Sequence, residues 1–204
     1  MYTPASNRES RPEVLRQLIA AYPFACIVTT AGGAPEATHL PLLLSDDGKR
    51  LRGHMARANN QWRHFADAPL LAIFQGPHAY ISPTYYEAAF AVPTWNYVAV
   101  HATGTARLVD DAVAVRELLD DLIASSERHG WTMPWQDEHA AGLLAAIVAF
   151  EIDIEQLQGK TKLGQSRSAA DQQRTYHALS TSARAGDREL AGFMADYQQE
   201  GSSQ

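Results

Sequence analysis

Four clusters of polar and aromatic side chains in the 204-residue chain interrupt otherwise apolar runs. In Arg50 to Met55, alternation puts Leu51, Gly53 and Met55 on one face of a strand and Arg52 and His54 on the other. The run continues through Ala56-Arg57-Ala58-Asn59 into a short helix carrying Trp62. A strand end feeding a helix start can hold an anion, because backbone N–H groups there carry partial positive charge and Arg57 adds a planar donor fork. The same residues also suit a plain cap by Asn59 with Arg57 turned to solvent. His78, Tyr80 and Ser82 share one strand face, opposite Ala79 and Ile81, and either line a pocket for a planar polar ligand or face water. In the third cluster, Trp95, Asn96 and Tyr97 open a long strand on which Tyr97, His101 and Arg107 share parity and Val98, Val100 and Leu108 oppose them. Trp95 and Tyr97 serve there as barrel core or as a stacking surface. The fourth cluster is Gly159 to Arg167, which holds two of the chain's three lysines, Lys160 and Lys162, together with Gln165 and Arg167. It reads as an anion-binding loop or as a solvated one.

These clusters need a sheet to carry them. Phe24 to Thr30, Pro35 to Leu44 and Arg50 to Met55 read as an antiparallel meander with turns at Gly32-Gly33 and Asp46-Asp47-Gly48. Pro69 to Gly76, His78 to Ser82, Thr94 to Val109 and Leu143 to Ile154 continue it, with Gly76-Pro77 as a break and Gly159 to Ser168 as a loop. Helices are expected from a Ser10 cap to Tyr22, over Asn59 to Asp67, after Asp110 or Asp111, and over Ala169 to Ser182 and Asp187 to Gln199, before a short polar tail. In the third of these, Val115, Leu118, Leu119, Leu122 and Ile123 form the core face. Tight turns between strands argue for a partly covered antiparallel barrel over a doubly wound parallel sheet.

Composition removes several function classes. Hydrophobic residues make up 46% and charged residues 20%, which suits one folded domain and not a disordered chain. The net charge of −6 gives no general attraction to phosphate backbones, and the terminal helices present no basic recognition face. Cys26 stands alone, so a disulfide or Cys-based metal site within the chain is excluded; it reads as a small core residue in a cytoplasmic protein. The eight histidines lack ligand spacing, so no metal site is expected. The sequence holds no phosphate-loop, dinucleotide or His-Glu-x-x-His motif, and neither a secretory leader nor a membrane span is expected from it.

Taken in order, Ala37-Thr38-His39-Leu40-Pro41, Gly53-His54-Met55-Ala56-Arg57-Ala58-Asn59, Gln61-Trp62, Phe74-Gln75-Gly76-Pro77-His78-Ala79-Tyr80-Ile81-Ser82-Pro83, Val92-Pro93-Thr94-Trp95-Asn96-Tyr97 and Val100-His101 strongly resemble the PaiB family. That family is described as FMN-binding negative transcriptional regulators with the flavin-reductase-like split β-barrel. The resemblance runs from about Met1 to Arg167. It implies a mainly β, α+β split barrel over residues 1–168, with C-terminal helices over 169–204 packed on the same domain. It further implies a homodimer with two equivalent FMN sites and a regulator or flavin-dependent oxidoreductase; DNA enters as a partner through the family's description alone. Arg57 with Lys162 or Arg167 would meet the phosphate, and His78, Tyr80, Ser82, Trp95 and Asn96 the isoalloxazine or ribityl groups. His54, Asn59, Trp62, Lys160 and Gln165 complete the expected cofactor-binding set. The chain departs from the family's usual loop at Gly164 and Ser166, where Ser and Asn are typical. Piperazate synthases, a closely similar branch, use haem b to form an N–N bond in an N-hydroxylated ornithine, and on that alternative His54 is the axial ligand. A cofactor-free dimeric binding module is the third alternative.

Overall fold

Pro12 opens the first helix, α1 (Pro12–Ala21), where its missing N–H costs nothing, and the Arg11 carbonyl accepts the Leu15 N–H at 3.1 Å. The helix therefore starts one residue later than a Ser10 cap would place it. In the computed structural model, residues 1–87 and 90–202 are described; the end of the expected polar tail, Ser203-Gln204, lies outside them.

The strands are β1 (Arg8–Glu9), β2 (Phe24–Ala31), β3 (Ala34–Pro41), β4 (Leu43–Leu44), β5 (Arg50–Ala56), β6 (Leu70–Ile81), β7 (Thr94–Val109) and β8 (Ile147–Lys162). They lie in the order β3-β2-β6-β7-β8-β5-β4, with β1 antiparallel to β8. Four more helices follow among the described residues: α2 (Ala112–Ser126), α3 (His139–Ala145), α4 (Ala169–Ser180) and α5 (Ala185–Ser202). Together they form the α+β split barrel, with an antiparallel sheet as its frame.

Two compact units share these strands. The first is made of Met1–Leu15, Gln75–Val100 and Gln158–Gln204; the second is made of Arg16–Phe74 and His101–Leu157. In the second unit, β2 pairs with β3 through Ala25↔Leu40 and with β6 through Cys26↔Ile73, while β5 pairs with β8 through Leu51↔Ile152 and His54↔Ala149. The expected meander is thereby corrected: β3 and β5 are not ladder neighbours. Pro41 ends β3 because it has no N–H to donate, and the Leu42 N–H turns to the Pro23 carbonyl at 2.9 Å. Leu42, fully buried, is the sole link between β3 and β4, which stand at opposite ends of the strand order. Gly53 makes this crossing possible: a Cβ there would meet the Pro41 carbonyl oxygen at 3.2 Å and Leu42 Cδ2 at 2.6 Å.

Other boundaries differ from expectation. Gly76-Pro77 does not divide two strands; both residues are buried within β6, and inside-outside alternation changes phase across them. Leu143 to Ala145 belongs to α3, because a continuous apolar run reads equally as helix or strand. β8 runs on to Lys162, so the first four residues of the expected Gly159 to Ser168 loop are strand. The helix expected over Asn59 to Asp67 is a 3-10 turn over Asn60–His64. Leu108 is 38% exposed, unlike the buried Val98 and Val100. Cys26 is half-buried on the face opposite Ala25 and Ile27.

In the first unit, β1 places Glu9 4% exposed beside Arg11, whose backbone N–H and guanidinium both donate to it, and beside Tyr197 of α5, whose hydroxyl donates at 2.7 Å. Burial would raise this carboxyl, but the hydrogen bonds from Arg11 and Tyr197 outweigh it and hold it below the usual value near 4.5. Its stabilisation is therefore present above that value and lost as pH falls through the folded one. Glu9→Gln should cost roughly 1–3 kcal/mol at pH 7 and flatten the fall of the urea midpoint below pH 4.5. A slope identical to wild type would assign the acid sensitivity elsewhere. Gly53→Ala should cost about 1–3 kcal/mol by overpacking, measured by the same denaturation.

Candidate functional site

Alternation along β5 buries Leu51, Gly53 and Met55 and turns His54 to the other face, opposite Ala149 of β8. Burial holds the His54 imidazole below the usual histidine value, so it is neutral at pH 7. Its Nδ1 is buried without a partner. The ring borders a cleft of about 670 Å³ within the second unit, walled by β3 and β5 on one side and by residues of α2 and α3 on the other.

The rest of this segment bonds within the chain. Asn59 Oδ1 accepts from the Gln61 N–H at 3.0 Å, and its Nδ2 donates to Thr38 Oγ1 at 2.8 Å. Arg57 donates from Nε to the Ala145 carbonyl at 2.8 Å and from Nη2 to the Ile147 carbonyl at 2.7 Å, clamping the α3–β8 junction. Trp62 Nε1 donates to the Arg57 carbonyl at 3.1 Å. Gln61 is fully buried and donates to Thr29 Oγ1 and to the Glu36 carbonyl. No periodicity marks a buried glutamine, so sequence reasoning places Gln61 in the Gln61-Trp62 motif but assigns it no role.

The remaining expected residues lie in the first unit. His78 and Tyr80, on the outer face of β6, meet the Trp95 ring of β7 at centroid distances of 6.2 and 6.0 Å. Trp95 is 49% exposed and Tyr80 44%, so neither is core. The Lys162 ammonium donates to Thr94 Oγ1, which places the charge one residue from Trp95. Arg167 lies over the Tyr86 ring at 4.2 Å. Asn96 is buried, with Nδ2 unpartnered and 3.8 Å from where a Cβ on Gly164 would stand. Gly164 adopts φ +87°, a conformation in which the serine typical of the family would be strained.

Three of the set have inward duties. Lys160 is 7% exposed, donates to the Tyr2 carbonyl at 3.0 Å and stacks over Tyr97 at 5.0 Å. Gln165 braces its loop, accepting from the Leu163 N–H at 2.9 Å and donating to the Thr161 carbonyl. Ser82 caps the following 3-10 turn, accepting from the Thr84 N–H at 3.3 Å. The first unit thus offers exposed aromatic faces with the Lys162 cation at the neighbouring Thr94, and a second cation, Arg167, over buried Tyr86, a chemistry suited to a planar anion. The second offers a neutral imidazole against apolar walls. Among the described residues no group of three His, Cys, Asp or Glu side chains could hold a metal, and no helix is long and apolar enough to cross a membrane.

The family described as "Putative FMN-binding domain" matches residues 1–156. The Bacillus subtilis "Protease synthase and sporulation protein PAI 2" is 35% identical over 203 residues, covering 96% of this chain and 97% of its own. An uncharacterized protein of Emericella nidulans is 30% identical, covering 84% of this chain and 87% of its own. Among solved structures, the flavocytochrome Anf3 from Azotobacter vinelandii superposes with a TM-score of 0.64 at 17% identity, covering 77% of this chain and 70% of that one. The FAD and heme binding protein from Mycobacterium smegmatis gives 0.59 at 19% identity, covering 81% of this chain and 78% of that one. These two structures share the fold. The match over residues 1–156 and the near full-length identity to the Bacillus protein show that this chain belongs to the PaiB family of FMN-binding domains.

Proposed function

We propose that this FMN-binding protein holds the flavin with the first-unit residues and serves as a PaiB-type regulator in the cytoplasm. The observation that carries the placement is the exposed Trp95 and Tyr80 pair with the Lys162 charge fixed at Thr94. FMN is a planar ring system ending in a dianionic phosphate. Trp95, Tyr80 and His78 supply ring contacts, and Lys162 and Arg167 supply the charge for the phosphate. Gln165 holds the loop beneath, and the buried Asn96 amide lies beside it at Gly164. When bound, FMN supplies one- and two-electron chemistry, and an oxidoreductase activity would use the same site. Arg57, which the resemblance gave to the phosphate, is better suited to anchoring the His54 segment, because two of its donors already meet backbone carbonyls.

Haem at His54 is the competing cofactor. A ligating histidine almost always donates its other ring N–H to an acceptor, and Nδ1 here is buried with none; no Lys or Arg lines the cleft to meet two carboxylates. These residues fit FMN better than haem.

The purified protein should show flavin absorption, or take it up with added FMN, and a Soret band after haemin instead would reverse the assignment. Lys162→Ala should raise the FMN dissociation constant at least roughly tenfold and that of riboflavin less than roughly twofold, since only FMN carries the phosphate. Equal losses would remove Lys162 from that contact. We further propose a homodimer, for which light scattering should give about twice 22.4 kDa. Direct DNA control needs a sequence-specific, salt-dependent gel shift; with a net charge of −6, none should occur without local basic contacts.

A further inference from the structure

The cleft beside His54 has no part in the flavin reading, yet it is built like a ligand site. At about 670 Å³ it lies within the range of small-molecule pockets. The α2 stripe divides its work: Leu118 and Leu122 are buried with Ala149, while Leu119 and Ile123 line the cleft. Leu143 and Leu144 of α3 line it too, and Trp135 is fixed at its edge by Nε1 donation to both Asp120 carboxylate oxygens at 3.0 Å. No Lys, Arg, Asp or Glu is among the lining residues, so a charged occupant would lie unpaired against apolar walls.

The polar content of the cleft narrows the occupant further. Thr38 and Asn59 already bond to each other, and the ring of the second lining histidine, His39, stacks on Phe24 at 6.1 Å. His54 Nδ1 has almost no accessible surface and no partner, which leaves Nε2 as the ring nitrogen a ligand can reach. A buried N–H without an acceptor is costlier than a buried lone pair, so the proton of the neutral ring belongs on Nε2, which becomes a donor. We propose that this cleft binds a neutral, mainly apolar small molecule whose hydrogen-bond acceptor, such as a carbonyl oxygen, meets His54 Nε2–H.

The test uses the full chain saturated with FMN and three bicyclic probes: 2-acetylnaphthalene, which is neutral with an acceptor; 2-ethylnaphthalene, which lacks one; and 2-naphthoate, which is charged. Calorimetry should give 2-acetylnaphthalene as the tightest. Ile123→Trp, which fills the cleft, should weaken it at least roughly tenfold, and His54→Phe should weaken it roughly fivefold while sparing 2-ethylnaphthalene. Thermal melts certify that each variant is folded, and if His54→Phe is not, Ile123→Trp decides alone. Preference for 2-naphthoate, indifference to Ile123→Trp, or a haemin Soret band that vanishes in His54→Phe would each overturn the proposal. The flavin absorption in the same samples judges the FMN reading separately.

Discussion

A single buried residue, Leu42, bridges strands at opposite ends of the ladder order, and this brevity forces the second unit's sheet to close on itself. One residue spans only a few ångströms. β3 and β4 can be that close only if the sheet curls until its edges meet, and Gly53 removes the side chain that would obstruct the crossing. Closure brings the two terminal strands together without a ladder between them. It fixes which way β5 faces. With Leu51, Gly53 and Met55 committed inward, His54 has no choice but the outer side, under α2 and α3.

Period-two alternation made much of this visible in advance. The β5 face, the outward His78 and Tyr80, and the extent of β7 were all legible because a half-buried strand writes its environment into every second residue. The Asp111 cap was legible too, since its Oδ1 accepts the Ala114 N–H as such residues do at helix starts. What alternation could not show was pairing between distant strands. β1 has only two residues, too few for a pattern, and the strand order depends on loop closure that no local window contains. The PaiB motifs supplied that missing information as resemblance.

The candidate site was legible as a set of residue types but less so as roles. Lys160 and Lys162 look equivalent in sequence, yet one is buried against Tyr2 and Tyr97 while the other is half-buried at Thr94. Arg57 looked like an anion ligand because Arg often is one. Its donors instead meet carbonyls at a helix C-terminus, where positive charge also suits the dipole. Residue type states what a group can bind; only packing decides what it has already bound.

The Glu9–Tyr197 hydrogen bond joins positions 188 residues apart. During synthesis from the N-terminus, Glu9 emerges first and must stay hydrated until α5 leaves the ribosome. The first unit therefore cannot be completed until α5 has left the ribosome, whereas every segment of the second, which ends at Leu157, is available earlier. The latch on Glu9 is thus a late assembly step, closed by Tyr197 of α5.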